Sequence, residues 1–319
     1  MRMASIFSSW LVKGASSALM RILLFGKNGQ VGWELQRSLA PIGDVIAVDL
    51  PEIDFTDLEG LRDFTAETKP DLIVNAAAYT AVDKAESEPE IAMRINGEAP
   101  GVLAQAAREL NIGLFHYSTD YVFDGTKGEP YIEEDEPNPI NVYGETKLAG
   151  EHAVQESGCM HIILRTSWVY GSRGKNFYLT MLRLAREKEE IRVVDDQIGC
   201  PTWCRQIANA TAQIIEKWMN ADANSTQFDT AQTGIYNFSS TGTASWYQFA
   251  TLILKTDPGK DEHTYNRLIP IPTSAYPTAA ARPKFSVLTK DKVQRIFDVQ
   301  PLTWQEHLQG CWEFQSLPK

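Results

Sequence analysis

A short apolar run, Ile22 to Phe25, breaks directly into Gly26-Lys27-Asn28-Gly29-Gln30-Val31-Gly32. Gln30 to Ala40 then sets Val31, Leu35 and Leu39 at the spacing of one helix face. A buried parallel strand that enters a helix through a three-glycine turn is the opening of a βαβ unit, and few folds start this way. The glycines, spaced G-x-x-G-x-x-G, permit a tight reversal, let a pyrophosphate approach the main chain and let the helix pack closely on the sheet. Free amides at the helix start meet the phosphate charge. Val45 to Val48 reads as the next strand, ending in Asp49. That acid stands about 20 residues past the glycines, where a carboxylate hydrogen-bonds an adenosine ribose. Taken alone, the stretch also fits a strand–helix turn without a ligand.

Far downstream, Tyr143 and Lys147 are at i and i+4, so a helix over Tyr143 to Glu156 projects both from one face. An ammonium about 4 Å from a phenol, at an effective dielectric of about 20, contributes about 4 kcal/mol, a ceiling of roughly three pKa units. Such a tyrosine becomes a proton donor and acceptor near neutral pH. An exposed Tyr/Lys pair on a surface helix is the other reading of these two residues. Between the two signals, Ile112 to Ser118 reads as a strand running into Ser118-Thr119-Asp120-Tyr121. Ligands of doubly wound folds bind beyond the carboxyl ends of strands. A hydroxyl there either holds a substrate carbonyl oxygen while Tyr143 protonates it, or satisfies the strand end and caps the following turn. The conjunction of glycine turn, strand-end hydroxyls and Tyr/Lys pair points to a reductase.

From Met20 to about Ser167, strands at Ile22, Val45, Leu72, Leu114 and Ile162 alternate with helical runs such as Gly97 to Leu110 and Glu145 to Glu156. This alternation predicts an α/β fold, a Rossmann-like doubly wound parallel sheet with helices on both faces. Beyond Trp168, short strands near Val193 and Tyr236 alternate with helices near Lys175 to Glu187 and Ile207 to Trp218. Pro270 to Pro283 reads as loops and the polar stretch Asn220 to Gly234 as a connection. Residues 20–168 are expected to form mainly the dinucleotide-binding domain. Residues 169–319 are expected to form mainly a smaller α/β substrate-binding lobe with interleaved segments, the cleft between them being the active site. Residues 1–19 read as a leader or non-native extension, because they have little periodicity, Lys13 interrupts their apolar stretch, and Met20 directly precedes the first strand.

Composition narrows the function classes. A net charge of -11 over 319 residues argues against nonspecific nucleic-acid binding, which wants a basic surface. It leaves room for an anionic sugar nucleotide, which needs only a local cluster. The sequence has no membrane-length apolar run. Cys159, Cys200, Cys204 and Cys311 form no C-x-x-C pair and Cys200/Cys204 have no neighbouring histidine, so they read as reduced cytoplasmic thiols and not as a metal site. The acidic run Glu133 to Glu136 reads as a solvated loop.

The glycine turn, the Ser118/Thr119 strand end and the Tyr143-x-x-x-Lys147 spacing together resemble the extended short-chain dehydrogenase/reductase family. Val82-Asp83-Lys84-Ala85-Glu86 and Gln197-Ile198-Gly199-Cys200-Pro201-Thr202 resemble its branch that reduces dTDP-4-dehydro-β-L-rhamnose. The likeness runs from Met20 nearly to the end. It implies NADPH or NADH as coenzyme, a dTDP-sugar substrate, and reduction of the 4-keto group to give dTDP-β-L-rhamnose. Carried over by position, Gly26, Gly29, Gln30, Val31 and Gly32 would follow the pyrophosphate, Asp49 the adenosine ribose, Asp54 and Phe55 the adenine, and Ala78, Tyr79 and Thr80 the nicotinamide half. Tyr143 would be the acid and Lys147 would bind the nicotinamide ribose while lowering the phenol's pKa. Thr119, with Ser118 beside it, would hold the sugar carbonyl. The resemblance sets Trp168 against the sugar, an indole that equally suits an interdomain core. Arg282 suits either a diphosphate or a surface ion pair. Asn96 would tie the sheet together.

The resemblance leaves three points open. Another nucleotide-sugar epimerase or reductase, or a noncatalytic regulatory subunit of the methionine adenosyltransferase type, shares most of these residues. Asp49 suits NADH, whereas Lys27 or an arginine would suit the 2′-phosphate of NADPH. Some family members form a magnesium-bridged homodimer through an acid at the position of Glu34, but Arg205 stands here where a second acidic ligand would be.

Overall fold

The structure, a computed structural model, describes residues 19–219 and 228–315. The expectation for the leader therefore lies outside the described residues except at Leu19, as does that for 220–227 of the polar connection.

Six strands form one parallel sheet. Arg21–Phe25 (β1), Asp44–Val48 (β2), Leu72–Asn75 (β3), Gly113–Thr119 (β4), Met160–Thr166 (β5) and Gly234–Asn237 lie in the spatial order β2-β1-β3-β4-β5 with Gly234–Asn237 at the far edge. Each neighbouring pair is parallel, with Phe25 opposite Val48 and Asn75, and Thr119 opposite Thr166. The sequence order reverses between β1 and β3, which opens a crevice at their carboxyl ends where ligands of such sheets bind.

Alternation along β1 shows why both faces are covered. Ile22 and Leu24 join Leu35 and Leu39 of the helix Gln30–Leu39 (α1) and Ile214 and Trp218 of the helix Cys204–Met219 in one core. Leu23 and Phe25 point to the opposite face, where Leu61, Leu103 and Val154 build a second core. Side chains fully buried in this way each contribute about 1.5–3 kcal/mol, so a strand apolar at every position is stable only between two layers of helix. A third core, containing Tyr170, Tyr178, Trp203, Phe249 and Trp304, is built by residues beyond Trp168. There Glu190–Val194 pairs in parallel with Arg267–Ile271.

The strand expected near Tyr236 completes the large sheet beside β5 instead of lying within the smaller lobe. Buried Tyr236 and Phe238 belong to the core shared with α1 and Cys204–Met219, which draws this late segment back across the molecule. The proline-rich stretch is not all loop, since Pro270 and Ile271 end a strand. An edge position tolerates the missing amide of Pro270. Before the helix Ala99–Leu110 the chain makes a wider π-helical turn, Arg94–Glu98, which turns Asn96 inward. Among the described residues no helix is long and apolar enough to cross a membrane.

Candidate active site

The cleft at the carboxyl edge of the sheet has a volume of about 660 Å³ and runs from the glycine turn to Trp168 and Trp246. Its first part is built by close backbone approach. Gly26 has φ +84°, and a Cβ there would lie 2.6 Å from the Ala77 nitrogen. A Cβ on Gly32 would lie 1.9 Å from the Gly26 carbonyl oxygen, so this glycine seats α1 against the turn without lining the cleft. Gly29 precedes α1 and lines the cleft, as do Gln30, Val31, Asp54, Phe55, Ala78 and Thr80.

Asp49 ends β2 with both carboxylate oxygens engaged, accepting from the Asn28 amide at 3.0 Å and the Leu50 amide at 2.8 Å. Lys27 is turned to Glu52, 2.5 Å away. Tyr79, expected beside the nicotinamide, is not among the lining residues: its hydroxyl donates to Glu88 at 2.7 Å. Its backbone amide and carbonyl are both held by Asn96, which also donates to Thr146 at 3.2 Å. Asn96 thus fastens the loop after β3 to the helix Val142–Ser157.

That helix carries Tyr143 and Lys147. Asn141 caps it, accepting from the Gly144 amide at 2.8 Å. A Cβ on Gly144 would lie 2.2 Å from the Tyr121 carbonyl oxygen, so only glycine lets the first turn of the helix lie against the chain leaving β4. As a result Tyr143, Thr119 and Lys147 line one stretch of cleft. The Lys147 ammonium donates to the Tyr117 carbonyl at 2.7 Å and lies 3.4 Å from His116 Nε2. Burial pulls Lys147 down to about 8, with Glu151 opposing the shift. Burial likewise drives His116 well below its ordinary value, aided by the Lys147 charge.

The phenol does not follow the sequence expectation in the free protein. Burial pushes Tyr143 up to about 12, although the Thr119 hydroxyl pulls it down. The physical reason is that desolvation of a phenolate outweighs the ammonium, which is turned toward a backbone carbonyl. Tyr143 is therefore fully protonated at neutral pH, the state a proton donor needs.

Thr119 and Ser118 end β4 in the cleft, and Thr119 Oγ1 accepts from the Tyr121 amide at 3.2 Å. Ser118 Oγ and Thr166 Oγ1 are buried without a hydrogen-bond partner, the condition of groups that a ligand completes. Trp168 holds a φ of +45° and stacks on Trp246 with ring centroids 3.4 Å apart. Arg282 does not line the cleft; both of its terminal nitrogens bind Asp83, at 3.1 and 2.7 Å.

Sequence reasoning left out Trp246, Asn176 and the carboxyl of Asp120, all of which line the cleft. Asp120 sits inside a quoted motif, next to the threonine, and was legible there as a carboxyl at a strand end. Trp246 and Asn176 come from the chain beyond Trp168 and carried no signal of their own.

Glu34 is buried and its carboxylate accepts from Arg205 Nε at 2.9 Å, with Arg37 3.4 Å away. The carboxylate expected to bind a bridging cation is thus paired with guanidinium groups, and this charge arrangement does not fit a magnesium ion.

A glycine cradle at a strand–helix turn, a strand-end acid and a Tyr/Lys/Thr group in one cleft define a nicotinamide-dependent oxidoreductase on a Rossmann-like fold. The sequence profile of the RmlD substrate binding domain family matches residues 20–315. The chain is 48% identical to a dTDP-4-dehydrorhamnose reductase of Burkholderia thailandensis over 296 residues, covering 92% of this chain and 98% of that one. The crystal structure of dTDP-4-dehydrorhamnose reductase from Bacillus anthracis in complex with NADP is 36% identical, with a TM-score of 0.82 over 92% of this chain and 99% of that one. UDP-glucose 4-epimerase from Thermus thermophilus, 19% identical with a TM-score of 0.75, shares the fold. The chain belongs to the dTDP-4-dehydrorhamnose reductase family, an NAD(P)H-dependent branch of the extended short-chain dehydrogenases/reductases.

Proposed function

We propose that this protein reduces the 4-keto group of dTDP-4-dehydro-β-L-rhamnose to give dTDP-β-L-rhamnose in the cytoplasm. The observation that carries the reading is the convergence of Thr119, Tyr143 and Lys147 in a cleft continuous with the glycine turn. Reduced nicotinamide, when bound, supplies the hydride. The chain's own residues do the rest. The Gly26–Gly32 turn and the start of α1 receive the pyrophosphate, and the Asp49 carboxylate, fixed by two amides, accepts from the adenosine ribose. Lys147, anchored at the Tyr117 carbonyl, keeps further N–H donors for the nicotinamide ribose.

Thr119 holds the ketone oxygen, and Tyr143 passes its proton to that oxygen as negative charge develops there. The stacked Trp168/Trp246 pair forms an aromatic wall for the sugar. Residues 20–168 supply most of the coenzyme side together with Thr119, Tyr143 and Trp168, and the segment beyond 168 closes the sugar side with Trp246. No magnesium bridge between copies enters this account, because Arg205 already neutralises Glu34.

Coenzyme carrying deuterium at nicotinamide C4 tests the reading. The label should appear at C4 of the sugar in the NMR spectrum of the dTDP-rhamnose product. Label retained on the nicotinamide, with the sugar epimerised, would overturn it in favour of an epimerase.

A further inference from the structure

Asp120 lines the cleft, 2% exposed, one residue beyond Thr119. Its Oδ1 accepts from Thr119 Oγ1 at 3.2 Å, while its Oδ2 is buried with no partner in hydrogen-bond geometry, although the Ser286 hydroxyl also faces the carboxyl. The Thr119 hydroxyl also accepts from the Tyr121 amide at 3.2 Å. A threonine hydroxyl has one hydrogen to give. In the proposed reaction the ketone oxygen of the sugar competes for it with the Asp120 carboxylate and with the Tyr143 oxygen, on which the Thr119 hydroxyl also acts.

We infer that Asp120 is a positioning residue that sets, by its protonation, which way the Thr119 hydroxyl points. An ionised carboxylate only accepts, and as a charged acceptor it keeps the Thr119 hydrogen turned away from the sugar. A neutral carboxyl has a hydrogen of its own. It donates this hydrogen to Thr119 Oγ1 and releases the threonine hydrogen toward the ketone. The proton on Asp120 is not consumed, since the proton that reaches the sugar oxygen comes from Tyr143. Reduction therefore runs on the form with Asp120 neutral.

The surroundings allow this form at physiological pH. Burial pushes Asp120 up to about 7, against the Ser286 and Thr119 hydroxyls and its own backbone, which pull it down. The groups that face it are the Tyr143 phenol from the helix Val142–Ser157, Tyr121 on its own turn, the Ser286 hydroxyl, and the Cys200 thiol, itself pushed up to about 11 by burial. None of these is charged near neutral pH; the ammoniums of the neighbourhood are Lys147, which is turned to the Tyr117 carbonyl, and Lys290 beside Cys200, which donates to the Leu288 carbonyl.

The inference rests on the reductase reading, and its test separates the two. The rate of coenzyme-limited ketone reduction at pH 8.5 divided by that at pH 6 should be about 0.1 or less in the native enzyme. In Asp120→Asn the side-chain amide donates to Thr119 at every pH, and the ratio should rise at least about fivefold; Asp120→Ser, which also keeps a donor, serves if the first variant does not fold. A ratio unchanged in the variant would overturn the inference and assign the limb to Lys147 or Tyr143. An infrared titration of the coenzyme-free protein reads Asp120 directly. A protonated-carboxyl band present at pH 6, lost by pH 8.5 and missing from the variant supports the switch even if the substrate proves to be another sugar. The same band in native and variant protein would refute it.

Discussion

Gly144→Ala is the sharpest perturbation that the geometry offers, because it adds one methyl group and touches neither coenzyme nor sugar. The new Cβ would lie 2.2 Å from the Tyr121 carbonyl oxygen and about 3.0 Å from Pro139 Cβ. Ordinary contact begins near 3.4 Å, so the first turn of the helix must retreat by about 1 Å from the chain leaving β4. Tyr143 is the adjacent residue and moves with it, whereas the glycine turn after β1 does not. A displacement of about 1 Å at a reacting group costs on the order of a hundredfold in rate, equivalent to about 2.7 kcal/mol in the barrier.

The methyl also overpacks a filled site, at about 1–3 kcal/mol of stability. The assay is therefore kcat on the folded fraction, set beside the coenzyme Kd from nicotinamide fluorescence. The expected result is kcat lowered about a hundredfold with coenzyme Kd changed less than about threefold. A kcat within threefold of the native value, in a protein that still melts cooperatively, would refute the argument that this close approach positions Tyr143.

Other perturbations give equally defined outcomes. Removing Arg165 from its bidentate contact with Glu151, at 2.9 and 2.6 Å and almost wholly buried, strands a carboxylate in the core; Arg165→Met should cost about 3–5 kcal/mol in urea unfolding, and a loss below 1 kcal/mol would contradict it. Asp120 holds its proton to about pH 7 when folded but only to about 4 when unfolded, so the folded state is the more protonated one between these values and its stability falls as pH rises through them. Asp120→Asn should therefore gain stability over the native protein in urea unfolding by about 2.5 kcal/mol on going from pH 5 to pH 8, out of a total of about 4 kcal/mol across the whole window, and a constant gap would count against the buried acid. Glu52→Gln frees Lys27 for a 2′-phosphate and should raise the NADPH/NADH ratio of kcat/KM about tenfold; an unmoved ratio would show that the Lys27–Glu52 pair has no say in coenzyme choice. Trp246→Ala removes the ring on which Trp168 stacks and should raise the sugar KM severalfold while sparing coenzyme binding, as equilibrium titration of each ligand would check.

The half of the site that rests on local chain chemistry was open to sequence reasoning. An apolar strand followed by glycines places Gly26, Gly29, Gln30 and Val31 in the cleft without reference to anything distant. The i, i+4 spacing set Tyr143 and Lys147 on one helix face for the same reason. The phenol's acidity was not legible, because burial in the folded cleft sets it, and the Lys147 ammonium that was expected to oppose burial turns to the Tyr117 carbonyl. Arg282 and Tyr79 show a related limit. Each has the chemistry for a ligand, yet Asp83 and Glu88 claim their polar groups through contacts that sequence does not display. Trp246 meets Trp168 only in the folded chain, across a long separation in sequence, and the strand Gly234–Asn237 crosses to the large sheet for the sake of apolar burial at Tyr236 and Phe238.

The central claim is that Tyr143 delivers the proton in a nicotinamide-dependent reduction of a dTDP-4-keto sugar. It is tested most directly by following nicotinamide absorbance when dTDP-4-dehydro-β-L-rhamnose meets native protein and Tyr143→Phe, with coenzyme affinity measured in both. The account predicts rapid oxidation by the native protein, a fall of at least about a thousandfold in the variant, and coenzyme Kd values within about threefold of each other. Oxidation at the native rate by Tyr143→Phe would contradict it.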